Sequence, residues 1–312
     1  MKKKRKLGKK LLSFLLTLAM LVGLMPGMSL TAYAEGTAVD LSTLTGNYTA
    51  TDGDVLSGTA SGKTVTIPAG ATVTLNGVNI SNGSITCSGN ANIILLGSNS
   101  VTTATNEKAA IKIGGSGTTL TITGSGSLTA QGGQSAAGIG TDRNGTGGNI
   151  VINGGTVTAT GSGGGAGIGT GETYKSTNKC GTITINGGTV TATGVGYAAG
   201  IGTGYAYGKT NTCGAITING GTVNATGGYY AAGIGTGYAS HGGNNTCGAI
   251  TIGTGVTSVT AKKSSSYPGP NSIGKGEAAY GGTQNCGTIT IGGVVKAQSD
   301  FTGDTYTYTP AN

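Results

Sequence analysis

The 312-residue chain has no Trp and only two Phe, and its four Met all lie within the first 28 positions. Charged residues make up 9% of it. Beyond residue 34 there is one Arg, Arg143, and one His, His241. The acids there are Glu35, Asp40, Asp52, Asp54, Glu107, Asp142, Glu172, Glu277, Asp300 and Asp304, scattered along the chain. Glycoside hydrolysis needs two carboxylates facing each other across one bond. Glu172 and Glu277 share a repeat slot but sit three coils apart, roughly 14 Å at one strand spacing per coil. A serine nucleophile with no base beside it is not activated. The expectation is a protein that is not an enzyme, with no cofactor and no metal.

A second scarcity is hidden by the formal charge of +8. Seven of the 18 Lys and Arg precede residue 11, so the remainder is nearly neutral. That leaves no basic stripe for a phosphate backbone, and nucleic acid is not an expected partner. The basic start, the apolar run Leu11 to Leu24 and the small-x-small site Ala32-Tyr33-Ala34 read as a signal peptide over residues 1–34. The apolar run is short for a membrane span. A chain beginning near Glu35, secreted and without integral membrane association after cleavage, is therefore expected.

Glycine, in contrast, is abundant, at 65 residues. It recurs with Val, Ile and Thr in a repeat whose clearest unit, AAGIGTGYAYGKTNTCGAITINGGTVNATGG, runs from Ala198 to Gly228. The first-strand isoleucine recurs at Ile139, Ile168, Ile201, Ile234 and Ile273, and extrapolation backwards gives Ile113 and Cys87. Each unit holds three short segments, AGIG, ITI and TVTAT or TVNAT, that alternate apolar and small or polar residues with period two. One unit cannot bury its apolar side alone, so like strands stack on like strands. Crossovers between parallel strands wind right-handed. The fold expected is all-β: a right-handed parallel β-helix solenoid with three short strands per coil and about seven to eight coils. Residues 35–64 are expected to form an N-terminal cap and first strands, 65–299 the β-helix repeats and 300–312 a C-terminal tail that caps the other end.

The corner between first and second strands lengthens towards the C-terminus, while the return from third to first strand stays near eleven residues. Repeat proteins often place such insertions on their binding side. At the foot of these long loops Cys180, Cys213, Cys247 and Cys286 fall in one column, two residues after Asn178, Asn211 and Asn245 in the first three. The cysteines read as packing thiols, with one or two disulfides such as Cys180–Cys213 as the alternative. A line of sulfurs does not make a tetrahedral zinc site. The asparagines read as a ladder at the loop base.

Tyrosine marks the same corner. Tyr197 and Tyr230 lie four residues before a first-strand isoleucine, and Tyr205 and Tyr238 four after it. Between them Ala198, Gly200, Gly202, Gly204, Ala231, Gly233, Gly235 and Gly237 would make a smooth floor edged by aromatic rails. An extended polysaccharide fits such a floor, with Tyr174, Tyr207, Tyr229, Tyr280, Lys209 and His241 nearby. Alternatively the floor seats the protein's own loops, with the tyrosines as packing anchors. Elsewhere Thr156, Thr158, Thr189, Thr191 and Thr222 form an outward grid, similar to ice-binding surfaces but interrupted by Asn224.

The stretch DGDVLSGTASGKTVTIPAGATVTLNGVNI, from Asp52 to Ile80, with the later GAGIG and CGTITINGGTVTATG units, resembles secreted β-helix repeat proteins of Gram-positive bacteria. It is similar to clostridial carbohydrate-binding β-helix proteins of pectin-lyase-like fold. The resemblance implies attachment to a polysaccharide or cell-surface glycan, in some relatives with calcium held by acids. The repeat loops here carry few acids, which departs from that pattern. Together these readings lead to a non-catalytic extracellular β-helix, carbohydrate-binding or adhesive through its Tyr-rich corner. The alternative is a passive cell-envelope spacer. No LPxTG-like motif is present near residue 312, so release or noncovalent wall association is expected.

Overall fold

The computed structural model describes residues 36–104, 107–266 and 269–311. The signal peptide expected over residues 1–34 lies outside the described residues. Among those described there is no α-helix, and strands from successive turns of the chain pair in parallel. The fold is a parallel β-helix.

First strands stack in a nine-stranded sheet among the described residues, from Tyr48–Thr49 through Thr64–Ile67, Ser84–Cys87 and Ile111–Lys112 to Ile273–Gly274. Nine rungs exceed the seven to eight expected. The extra ones lie in the short N-terminal coils, which lack the AGIG and ITI words that made the later repeat visible. Second and third strands belong to one 18-stranded sheet. They merge in the early coils because Val55–Ser61 and Thr72–Ser81 each run across both positions. Later a glycine with positive φ separates them, as at Gly188 (φ 85°), where an L side chain is strained.

Two register assignments are corrected. Ile139 pairs with Ile111, and Ile111 with Ile85, so Ile113 and Cys87 are two residues past the slot expected for them. Both are nonetheless buried. A two-residue slip leaves every side chain on its own face, so period-two patterning does not detect it.

The interior is a continuous apolar column of Ile, Leu, Val and Ala from Leu41 to Phe301. Burying one such large side chain contributes roughly 1.5–3 kcal/mol. At the N-terminal end, Ala38–Asp40 continues the parallel stack on Val55–Ser57, and Asp40 caps the 3-10 turn Leu41–Thr43. Leu41 plugs the interior there. At the other end Val294–Lys296 and Thr305–Tyr308 pair antiparallel with the last rungs, and buried Phe301 fills the opening. Reversing direction ends the parallel propagation and covers an edge that would otherwise recruit another chain.

Candidate functional site

The corner that lengthens along the chain is an ordered layer of its own. Its segments form a four-stranded parallel sheet, Asn178–Lys179, Thr210–Cys213, Asn244–Cys247 and Thr283–Cys286. A two-stranded sheet pairs Ala206–Tyr207 with Ala239–Ser240. What the sequence presented as loops is therefore a stack of added rungs.

Those rungs cover the small-residue floor. Ala198, Gly200, Gly202, Gly204 and their counterparts from Ala231 to Gly237 are all buried. The chain turns back over its own first strand, with the Ala199 N–H donating to Thr203 O at 3.0 Å and the Tyr205 N–H to Gly164 O at 2.8 Å. A Cβ on Gly204 would lie 2.5 Å from the Gly164 and Gly171 carbonyl oxygens. The floor is therefore buried beneath the protein's own chain and is not an open surface.

Beneath the layer runs a buried amide–hydroxyl ladder. The Thr170 hydroxyl donates to Asn211 Oδ1 at 2.6 Å and accepts the Gly204 N–H at 2.9 Å, and Thr141 does the same with Asn178 and Gly171. Asn178, Asn211 and Asn245 donate their amide hydrogens to loop carbonyls. Gln284 takes this place in the next coil, donating to Gly237 O and Glu277 O. These asparagines are the loop-base ladder, fully buried. The cysteines follow them in register: Cys213 opposite Cys247, and Cys247 opposite Cys286. All five cysteines are free thiols in this structure.

The tyrosines separate into an inner and an outer set. Tyr205 and Tyr238 stack on each other at 5.5 Å and 14° and lie against Tyr197 and, for Tyr238, Tyr230. Tyr238 is only 9% exposed. Burial raises the phenol pKa of both. Tyr238 is thus packed inside the folded-back layer, while Tyr205 stays half-buried beside it. Outside them Tyr174, Tyr207, His241 and Tyr280 form a second column with ring centroids 5.2, 4.4 and 5.1 Å apart. Tyr174 is 48% and Tyr280 75% exposed, and Arg143 caps the far face of Tyr174 at 5.2 Å. Tyr197 and Tyr229 are also exposed, with rings 6.3 Å apart. Tyr229 borders a hollow of about 410 Å³ lined by Val195, Lys263 and Ser264. Lys209 is exposed beside the outer column.

Backbone geometry sets the outer column apart. His241 (φ 53°) and Tyr280 (φ 50°) occupy the turn position that Gly208 (φ 63°) fills one coil earlier. Glycine adopts this left-handed conformation freely, whereas an aromatic residue there carries strain of order 1 kcal/mol or more. Ring stacking compensates part of it.

Two groupings escaped sequence reasoning. Ser240 Oγ lies 2.6 Å from the Tyr205 hydroxyl and 2.9 Å from His241 Nδ1. A base thus sits beside a serine, but Ser240 is fully buried, and the pair orients the imidazole. The scattered acids also converge in part. Asp142 accepts Lys108, Lys112 and the Ala109 N–H, while Arg143 bridges Glu107 and Glu172. These contacts span one to two coils and depend on the corrected register. Among the described residues no three of His, Cys, Asp and Glu gather in a metal-holding geometry.

The family described as Beta helix repeat matches residues 120–143, 150–172, 183–205 and 216–238. Each match begins in a second strand and ends just past the next first strand. The chain is thus a parallel β-helix repeat protein, four of whose coils match that family. No curated protein and no solved structure matches it.

Proposed function

We propose that the protein is a non-catalytic, secreted or wall-associated binding protein whose ligand is a polysaccharide or cell-surface glycan, held along the outer aromatic column. The observation that carries this reading is the column Tyr174–Tyr207–His241–Tyr280, exposed at both ends and built partly on left-handed backbone. Strain kept at a surface position is a pointer to function. A folded monomer gains little from large exposed aromatic groups unless something covers them.

The arrangement limits the mode of contact. Inner rings of the column cover one another's faces, so they offer edges and phenol hydroxyls to a ligand. Tyr280, the most exposed, is the ring with an outer face free for a sugar's CH surface. Lys209 and Lys175, both exposed, supply donors for hydroxyls alongside.

Glycan-array and insoluble-polysaccharide pull-down assays on wild type, Tyr280→Gly and Tyr174→Ala test the reading. Binding by wild type that drops at least tenfold in Tyr280→Gly, with unchanged circular dichroism, supports it. Equal binding by all three removes the column from the site. A folded wild type that binds no glycan leaves the passive envelope spacer as the better account.

A further inference from the structure

We propose that the cysteine column closes into two disulfides, Cys180–Cys213 and Cys247–Cys286, when the chain meets a low-molecular-weight disulfide oxidant, while Cys87 stays a thiol. The inference stands apart from the glycan reading and rests on the corner sheet alone.

Four cysteines allow three connectivities. In this column only neighbours one rung apart have Cα atoms near 4.8 Å, inside the range a disulfide spans. Pairing Cys180 with Cys247 and Cys213 with Cys286 would bridge two rungs, roughly 9.6 Å, which is too far. Pairing Cys213 with Cys247 would leave Cys180 and Cys286 three rungs apart. A fully paired column therefore has one solution. The sulfurs already favour it: Cys180 Sγ lies 3.1 Å from Cys213 Sγ. The Cys213 and Cys247 thiols also lie 3.9 and 4.0 Å from the Gly181 and Gly214 carbonyls, each in the rung before its own. Cys87 belongs to the first-strand sheet, where Ile67 is its register partner, and no other cysteine neighbours it. Burial pushes its thiol up to about 12, which keeps it unreactive.

Cys286, half-buried in the last corner rung, is the entry point. The hydrogen bond from Cys247 holds its thiol below the ordinary value against burial, with help from Gln298 and the Lys275 charge. The Cys286 thiolate attacks one sulfur of oxidised glutathione and expels glutathione thiolate, forming a mixed disulfide. The Cys247 sulfur, deprotonated as it attacks, then displaces the second glutathione thiolate, which takes up the released proton. Two protein thiols are oxidised and one glutathione disulfide is reduced. Cys180 and Cys213 are both 1% exposed, so the same exchange at that pair accompanies folding or opening of the rung.

The test is to fold the protein in oxidised glutathione, alkylate it under denaturing conditions and map its peptides. The expected result is one alkylated cysteine, Cys87, with crosslinked peptides for the two named pairs. Cys213→Ala should keep Cys247–Cys286 and expose two thiols, Cys87 and Cys180. Five alkylated thiols in a protein with a strand-rich circular dichroism spectrum would overturn the proposal. A Cys213–Cys247 crosslink in wild type, or a glutathione adduct left on Cys286 beside a free Cys247, would do the same.

Discussion

Coils before residue 136 close their interior with leucine and isoleucine, and the last leucine of the chain is Leu128. Coils after it use isoleucine, valine and alanine, and add an outer layer that the early coils lack. In the early coils the outward first-strand position holds an ordinary side chain, such as Thr86 or Lys112, in partial contact with solvent. In the later coils the same position is Gly140, Gly169, Gly202, Gly235 and Gly274, sealed beneath the folded-back chain. That contrast accounts for how the layered corner is built. Removing side chains from one face let the backbone of the next segment settle on it. That segment then needed buried polar partners, which the Thr–Asn ladder supplies.

The largest contrast should appear in that glycine column. A Cβ on Gly202 would sit 1.9 Å from the Gly235 carbonyl oxygen, on backbone with φ 133°. Gly202→Val should destabilise by more than about 4 kcal/mol, whereas Thr86→Val in the register-equivalent column should change stability by less than about 1 kcal/mol. Urea unfolding midpoints measure both, and similar values would erase the distinction drawn between the two halves.

Next comes the ladder, present only in the later coils. Asn211→Ala removes the acceptor of the buried Thr170 hydroxyl and two amide donors, and should cost about 2–4 kcal/mol. Asn245, whose Oδ1 is without a hydrogen-bond partner, should cost about 1 kcal/mol less on the same substitution. Denaturant titration of the pair checks the order, and the reverse order would mean that the ladder's hydroxyl links contribute little.

An acid-sensitive contact belongs to the early coils. Asp54 is fully buried. Burial raises its carboxyl, but bonds from Thr51 and Tyr48 outweigh that and bring it below the usual value. A depressed carboxyl stabilises the fold at neutral pH and loses that contribution as pH falls through its folded-state value. The first rung should therefore lose hydrogen-exchange protection below about pH 4 while the later coils keep theirs. Asp54→Asn should show the loss, about 1–2 kcal/mol, at neutral pH. Uniform acid loosening of both halves would contradict this.

The smallest stability effect is the most informative about function. Tyr280→Gly relieves left-handed strain and forfeits one ring contact, so its stability should stay within about 1 kcal/mol of wild type. Thermal unfolding measures this beside the glycan assay. A large loss would show that the outer column is a structural element of the corner.

Much of the fold was legible in the chain. Recurrence of AGIG, ITI and TVTAT named the strands, and their period two named the buried side. The positions of the cysteine and asparagine columns followed from spacing. The early register did not, because Ile111 and Ile113 are equally apolar and equally buried. The rung count fell short because coils such as Tyr48–Ser61 carry strands without the repeat's vocabulary. At the corner, spacing placed the tyrosines near one another but not inside or outside.

What sequence determined by itself is the period: which residues point inward, which stack on which from Ile139 onward, and that one corner grows. Those follow from local alternation and from the distance between repeats, both written linearly. Only the tertiary structure decided that the Gly and Ala floor is covered, that Tyr238 is buried, and that Tyr174, His241 and Tyr280 are exposed. The physical reason is that burial at this corner is set by the backbone of the same and neighbouring coils folding over the first strand. Such non-local coverage leaves no periodic mark on the residues it hides.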